Sequence, residues 1–169
     1  MKLHIGGEQA KEGWKIFSIQ KKDNVDFLGN ISDLTQFKTE SIDEIYASHV
    51  LEHVGRFKVR STLAGIHRVL KKKGKFYVSV PDMDVLSKAF VSPQASKATK
   101  FAIMRMMFGG QIDEYDFHYF GWNFEFLRDY LNRAGFFELK KVDTFGLFED
   151  TSNYKLNGFS ISLNLIATK

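Results

Sequence analysis

Apolar residues recur along the chain in short β-type runs and longer helix-type stripes. Residues 3–5 form a minimal apolar strand closed by Gly6 and Gly7. Residues 15–19 predict a second strand and residues 25–28 a third. A fourth run, 41–48, carries Ile42 and Ile45 to Ala47 and stops at Ser48 and His49. Between 56 and 70 the period changes. Val59, Leu63, Ile66 and Leu70 recur at i, i+4, i+7 and i+11, the buried stripe of one helix. Lys71 to Lys73 and Gly74 predict its end, cations at the negative pole and glycine as left-handed cap.

Residues 75–82, rich in β-branched and aromatic side chains and closed by Pro81, predict the fifth strand. Strand, helix, strand at this spacing is a βαβ crossover and implies a parallel sheet. The alternation then lapses. Residues 84–108 predict one or two helices carrying Met104, Met106 and Met107, and an aromatic, acidic loop follows, "QIDEYDFHYFGW". Residues 123–134 predict a helix with Phe124, Leu127, Leu131 and Ala134 on one stripe and Gly135 as its stop. Strands at 137–145 and 159–167 are joined too closely for a crossover and predict an antiparallel finish. In such a sheet ligands bind at the carboxyl ends of the strands, near the switch point.

The 169 residues, 44% of them hydrophobic, predict a single domain over 1–169 with one core, residues 84–121 forming a helical and aromatic lid insertion. The charge of +4 is spread along the chain, and its one lysine run has a capping explanation, so nucleic acid is not an expected partner. Cysteine is absent, which excludes disulfides, thiolate metal sites and cysteine nucleophiles. Neither a signal-peptide core nor a run of ~20 apolar residues is present. A cytoplasmic protein is the expectation.

"ASHVLEHV" contains H-x-x-E-H at His49, Glu52 and His53, the spacing of a class of zinc peptidases. Such a zinc motif lies within a long helix, whereas this one begins directly after a strand. No metal is therefore expected; Leu51 is predicted to pack inward, and Glu52 and His53 to hydrogen-bond local backbone.

In order along the chain stand Gly6-Gly7 after a first strand, "EGW" at 12–14, "IDEIYASHVLEHV" and "IHRVLKKKGKFYVSVPD". In these motifs the chain resembles the class I S-adenosylmethionine-dependent methyltransferases, closest to a short bacterial branch associated with glycan biosynthesis. The resemblance covers residues 1–82 and continues more weakly through Ala134, Gly135 and Phe136. It implies an α/β, Rossmann-like, mainly parallel sheet with an antiparallel C-terminal hairpin and helices on both faces.

The resemblance also implies site residues. Gly6 and Gly7 would let the backbone approach S-adenosylmethionine, and Glu8 stands where the family has a second glycine. That carboxylate would pair with the cofactor's amino group, oppose its carboxylate, or simply be solvated. Ser18, with Gln20 nearby, stands where an acid normally meets the ribose. Asn30 and Ile31 stand at the adenine, and Ser48 at the methionine end. His49 and His118 are the candidate bases for methyl transfer, since histidine titrates near neutrality. His53, Tyr115, Tyr119 and Trp122 are candidates for the acceptor side, beside Asp116, an arrangement suited to a sugar or other small polar acceptor. The alternative is a methyltransferase-like domain that has lost catalysis and serves as a binding or scaffold module. An uncovered sheet edge and the methionine helix favour a homodimer.

Overall fold

A computed structural model describes residues 1–156 and 158–169. The strands are β1 (Lys2–Ile5), β2 (Trp14–Ser18), β3 (Phe27–Leu28), β4 (Ile42–Ser48), β5 (Leu70–Pro81), β6 (Glu138–Val142), β7 (Lys155–Leu156), β8 (Phe159–Ser160) and β9 (Ser162–Thr168). The helices are α1 (Val59–Val69), α2 (Met83–Val91), α3 (Lys97–Phe108) and α4 (Phe124–Arg133). One sheet runs in the order β3-β2-β1-β4-β5-β9-β6, with β7 and β8 as a separate small ribbon. β1 to β5 pair in parallel, and β9 runs antiparallel between β5 and β6. This is the expected Rossmann-like sheet with its antiparallel finish.

Alternation of side chains across the pleat divides the sheet into unlike faces. One face carries Leu3, Ile5, Ile45, Ala47, Phe76 and Val78, all buried against Val59, Leu63 and Ile66 of α1 and Leu127 and Leu131 of α4. The other carries Trp14, Tyr46 and Tyr77, which pack with Phe145, Leu147 and Phe148 from the segment after β6. His4 shares this second face, its ring 4.0 Å from Phe148 and 5.0 Å from Tyr46. The helical cover is therefore uneven, aromatic rings and a 3₁₀ turn (Thr151–Asn153) replacing a helix over the second face.

Several boundaries differ from expectation for local reasons. α1 begins at Val59 rather than at 56 and ends at Val69, because Leu70 already has extended backbone and pairs with Ile42. The lysine run thus belongs to β5, and Lys73, not Gly74, takes the left-handed backbone, with φ +63°. Gly74 is required by crowding: a Cβ there would lie 2.8 Å from the Lys71 carbonyl oxygen and 3.0 Å from that of Asp43. The strand expected over 137–145 stops at Val142, since Phe145 turns away to cover the aromatic face. The final strand breaks at Ile161, which packs with Leu86 of α2 and Ile103 of α3. Met106 and Met107 join that cluster, while Met104 is exposed.

Candidate functional site

The connections after β1, β2, β3 and β4 leave the sheet at the same edge and enclose a cleft of about 590 Å³. Its size suits a small ligand or cofactor. Gly6, Gly7, Glu8, Ser18, Asn30 and Ile31 line it, joined by Gln20, Lys22 and Ser32, with His49, His53, Tyr115 and Tyr119 at the other end.

The glycine turn is fixed by its neighbours. Gly6 has φ +72°, and a Cβ on it would lie 2.7 Å from Val50 Cγ2. A Cβ on Gly7 would lie 2.4 Å from His4 Nδ1. That imidazole is wedged among Tyr46 and Phe148, so bare backbone is what fits above it. Burial pushes the His4 pKa down to about 4, against the pull of Asp150, and its Nδ1 has no hydrogen-bond partner among the described residues.

Polar groups along this half of the cleft are largely engaged. Glu8 does not fill the space left by the missing second glycine: its exposed carboxylate accepts a hydrogen bond from Lys22 Nζ at 2.6 Å. Ser18 Oγ accepts from the Gln20 amide at 3.2 Å, and Asn30 Oδ1 accepts from the Ser32 amide at 2.9 Å. Gln20 Nε2 reaches Asp113 Oδ2 across the mouth at 3.4 Å.

Beyond β4 the chain turns sharply. His49 takes a left-handed backbone, φ +52°, uncommon for a residue with a side chain and often found at functional positions. A 3₁₀ turn, Leu51–His53, follows instead of a long helix. Leu51 packs inward as expected, and the Glu52 carboxyl lies by its own backbone amide, which pulls its pKa down against burial without forming a well-aligned hydrogen bond. It is 1% exposed, and neither carboxylate oxygen has a hydrogen bond among the described residues. Burial pushes its pKa up to about 8. His53 Nδ1 contacts the distant Phe117 carbonyl oxygen at 3.0 Å rather than a local one.

The segment after α3 clasps this turn from outside. The amides of Tyr119 and Phe120 both donate to the Glu52 carbonyl oxygen, at 2.8 and 3.2 Å. The clasp sets the His118 ring edge-on to His53, centroids 4.8 Å apart, and brings His118 Nε2 to 4.0 Å from Glu52 Oε1. His49 Nδ1 lies 3.3 Å from the same oxygen. Burial and the neighbouring histidines lower the pKa of His118, and that of His49 falls to about 4.

Hydrogen bonds assign the His49 tautomer. Ser162 Oγ gives its single proton to the Thr151 carbonyl oxygen at 3.0 Å, so it must accept from His49 Nε2–H at 2.8 Å. His49 Nδ1 then carries a lone pair and faces Glu52 Oε1. Two acceptors at this distance require a proton or a cation between them.

Three expectations do not survive these placements. Ser48 projects onto the aromatic face, where its hydroxyl donates to Asp150 Oδ1 at 3.1 Å, so it is not a cleft residue. Trp122 is 1% exposed and packs on Phe120 and Tyr130, leaving no face for a ligand to stack on. His118 does not reach the cleft wall. Asp150 and Ser162, which position the β4 end, were not legible in the sequence; nothing local to them marks a site, and only the packing of 143–153 onto the sheet brings them in.

A family model described as a methyltransferase domain matches residues 6–78, from the glycine turn through most of β5. Among solved structures, a SAM-dependent methyltransferase from Archaeoglobus fulgidus is similar over 99% of this chain and 85% of its own, with TM-score 0.60 and 17% identity. One from Thermotoga maritima is similar over 99% and 81%, with TM-score 0.60 and 18% identity. A Burkholderia thailandensis N-methyltransferase holding 1,6-didemethyltoxoflavin and S-adenosylhomocysteine is similar over 99% and 70%, with TM-score 0.60 and 15% identity. No curated protein sequence matches the chain. The fold is that of the S-adenosylmethionine-dependent methyltransferases. The segment matching the methyltransferase-domain model supplies the glycine turn, the ends of β2 and β3, and the His49–His53 turn.

Proposed function

We propose that the chain is an S-adenosylmethionine-dependent methyltransferase acting on a small polar acceptor, a sugar or polysaccharide-precursor hydroxyl being the acceptor class that its motifs favour. The carrying observation is the glycine turn: Gly6 and Gly7 admit no side chain and border a cleft at the carboxyl ends of parallel strands. The cleft fits the cofactor. It has the volume, and Glu8 is turned away to Lys22 instead of blocking it. S-adenosylmethionine supplies an electrophilic methyl group on a sulfonium, so the protein need only bind, align and remove a proton.

Gly6 and Gly7 would take the methionyl portion, Ser18 and Gln20 the ribose hydroxyls, and Asn30 and Ile31 the adenine edge. Ser18 and Asn30 would do so as neutral partners, weaker than a carboxylate. His49, neutral and lining the cleft, would act as proton acceptor only by turning its Nδ1 lone pair from Glu52 to the acceptor, since Ser162 holds its Nε2–H; His118 is a positioning residue behind it. His53, Tyr115 and Tyr119 face the acceptor, the tyrosines offering amphipathic surface.

Calorimetric titration with S-adenosylmethionine and with S-adenosylhomocysteine tests the reading. One site for each ligand, saturating below a millimolar concentration, is expected. No heat and no thermal shift from either at that concentration overturns it.

A further inference from the structure

The fold's own chemistry leaves one cluster unexplained: a fully buried glutamate, ringed by histidines, whose carboxylate oxygens make no well-formed hydrogen bond among the described residues. We propose that Glu52, His53 and His118 form a binding site for a divalent first-row transition cation at the inner end of the cleft.

The ligand atoms of these side chains all lie within 4.8 Å of one another. Ligands on one cation with bonds of about 2.1 Å stand about 3–4 Å apart, so a modest closure completes the shell. Their hydrogen bonding leaves the right nitrogens free. His53 spends Nδ1 on the Phe117 carbonyl oxygen, which leaves Nε2 with its lone pair. His118 Nε2 is the nitrogen directed at Glu52, while its Nδ1, on the side of the Met106 and Met107 carbonyls, makes no hydrogen bond among the described residues. A backbone carbonyl behind an imidazole, as Phe117 is behind His53, is a usual way of fixing a liganding tautomer. The carboxylate is 1% exposed with both oxygens unpaired among the described residues, a placement that costs several kcal/mol unless a proton or cation joins it.

Two imidazoles and one carboxylate select zinc, cobalt, iron or nickel over magnesium and calcium, which prefer an all-oxygen shell. His49 Nδ1, 3.3 Å from Glu52 Oε1, flanks the site. Of the three ligands His53 lines the cleft, as does the flanking His49, while Glu52 and His118 lie behind its wall. Any use of the cation in holding an acceptor oxygen rests on the methyltransferase reading; the binding of the cation does not.

The H-x-x-E-H spacing thus points to a metal after all, by a different construction. In a peptidase helix both histidines of the motif bind. Here the backbone turns at His49, and the second imidazole comes from His118 on the segment clasped over Glu52.

The test is titration of chelator-stripped protein with Co(II), followed by visible ligand-field absorption and calorimetry. One equivalent with bands of a nitrogen- and oxygen-bound ion is expected. Glu52→Gln should bind at least a hundredfold more weakly, while circular dichroism and urea unfolding of the metal-free forms should show that the variant still folds, its amide NH₂ taking the place of the carboxyl proton opposite His49 Nδ1. His118→Asn is the second probe and should also lose the bands. No uptake of Co(II) at millimolar concentration overturns the site, as does equal uptake by the parent and Glu52→Gln. Magnesium binding as tightly as cobalt overturns the ion class. Titration of the same sample with S-adenosylmethionine separates the two proposals. Cofactor binding without cobalt sinks this one alone, and cobalt binding without cofactor sinks the other alone.

Discussion

The cleft's two ends are built in opposite ways. At the end formed by β1, β2 and β3, polar side chains already have partners: Glu8 with Lys22, Ser18 with the Gln20 amide, Asn30 with the Ser32 amide. At the end formed by β4 and the segment after α3, Glu52 has none among the described residues and His49 aims a lone pair at it. The first end is a finished surface that offers backbone and shape. The second holds unspent electrostatic demand, the usual mark of a place where a proton, ion or substrate acts. Both ends hang on the same parallel strands, so the contrast comes from the connecting segments.

The largest test of the finished end is Gly7→Ala. The new Cβ meets a histidine ring held by aromatic neighbours, an overpacking worth about 1–3 kcal/mol. Urea unfolding should register that loss, and binding of S-adenosylmethionine should fall at least a hundredfold. Full cofactor affinity in Gly7→Ala would show that the turn does not approach the ligand.

His4 beneath the turn supplies a second effect, of comparable or smaller size. Its folded pKa, near 4, lies below the ordinary 6.5. The unfolded chain therefore takes up the proton first as pH falls. The stability tied to the neutral ring is complete above about 6.5 and is lost progressively down to about 4. The shift corresponds to roughly 3 kcal/mol between those limits. His4→Phe, compared with the parent by urea unfolding at pH 7 and pH 4.5, should reduce this dependence; an unchanged slope would remove His4 from the account.

Glu8→Gly, which restores the glycine of the family pattern, should do least. The carboxylate it removes is exposed and engaged with Lys22, so stability should change by less than about 0.5 kcal/mol. Cofactor affinity should move by less than about threefold. A large gain would mean that Glu8 turns into the cleft when the cofactor binds.

Periodicity made most of the sheet legible. The parallel strands, α1, α4 and the antiparallel finish all follow from apolar spacing and connection length. The lysine run misled because it resembles a helix cap, yet a helix can pass straight into a strand when the next residue, here Leu70, is pulled into the ladder by Ile42. At the site, the glycine turn and the ends of β2 and β3 were legible as local motifs. Trp122 and Ser48 were misplaced because residue type reveals chemistry but not the face on which a side chain emerges. The isolation of Glu52 was not legible either. A motif shows which groups are near in sequence, not which of them lack partners once a loop has closed over them.

That closure has a kinetic consequence. His53 and Phe117 are 64 residues apart in the chain, so the clasp is a high-contact-order event. The βαβ units can form from nearer neighbours, so the histidine–glutamate cluster assembles after them, while the β5–β9 pairing and the Tyr46–Asp150 contact span still more of the chain. Its occupancy would then serve as a clock hand on folding, moving once the parallel half of the sheet is in place.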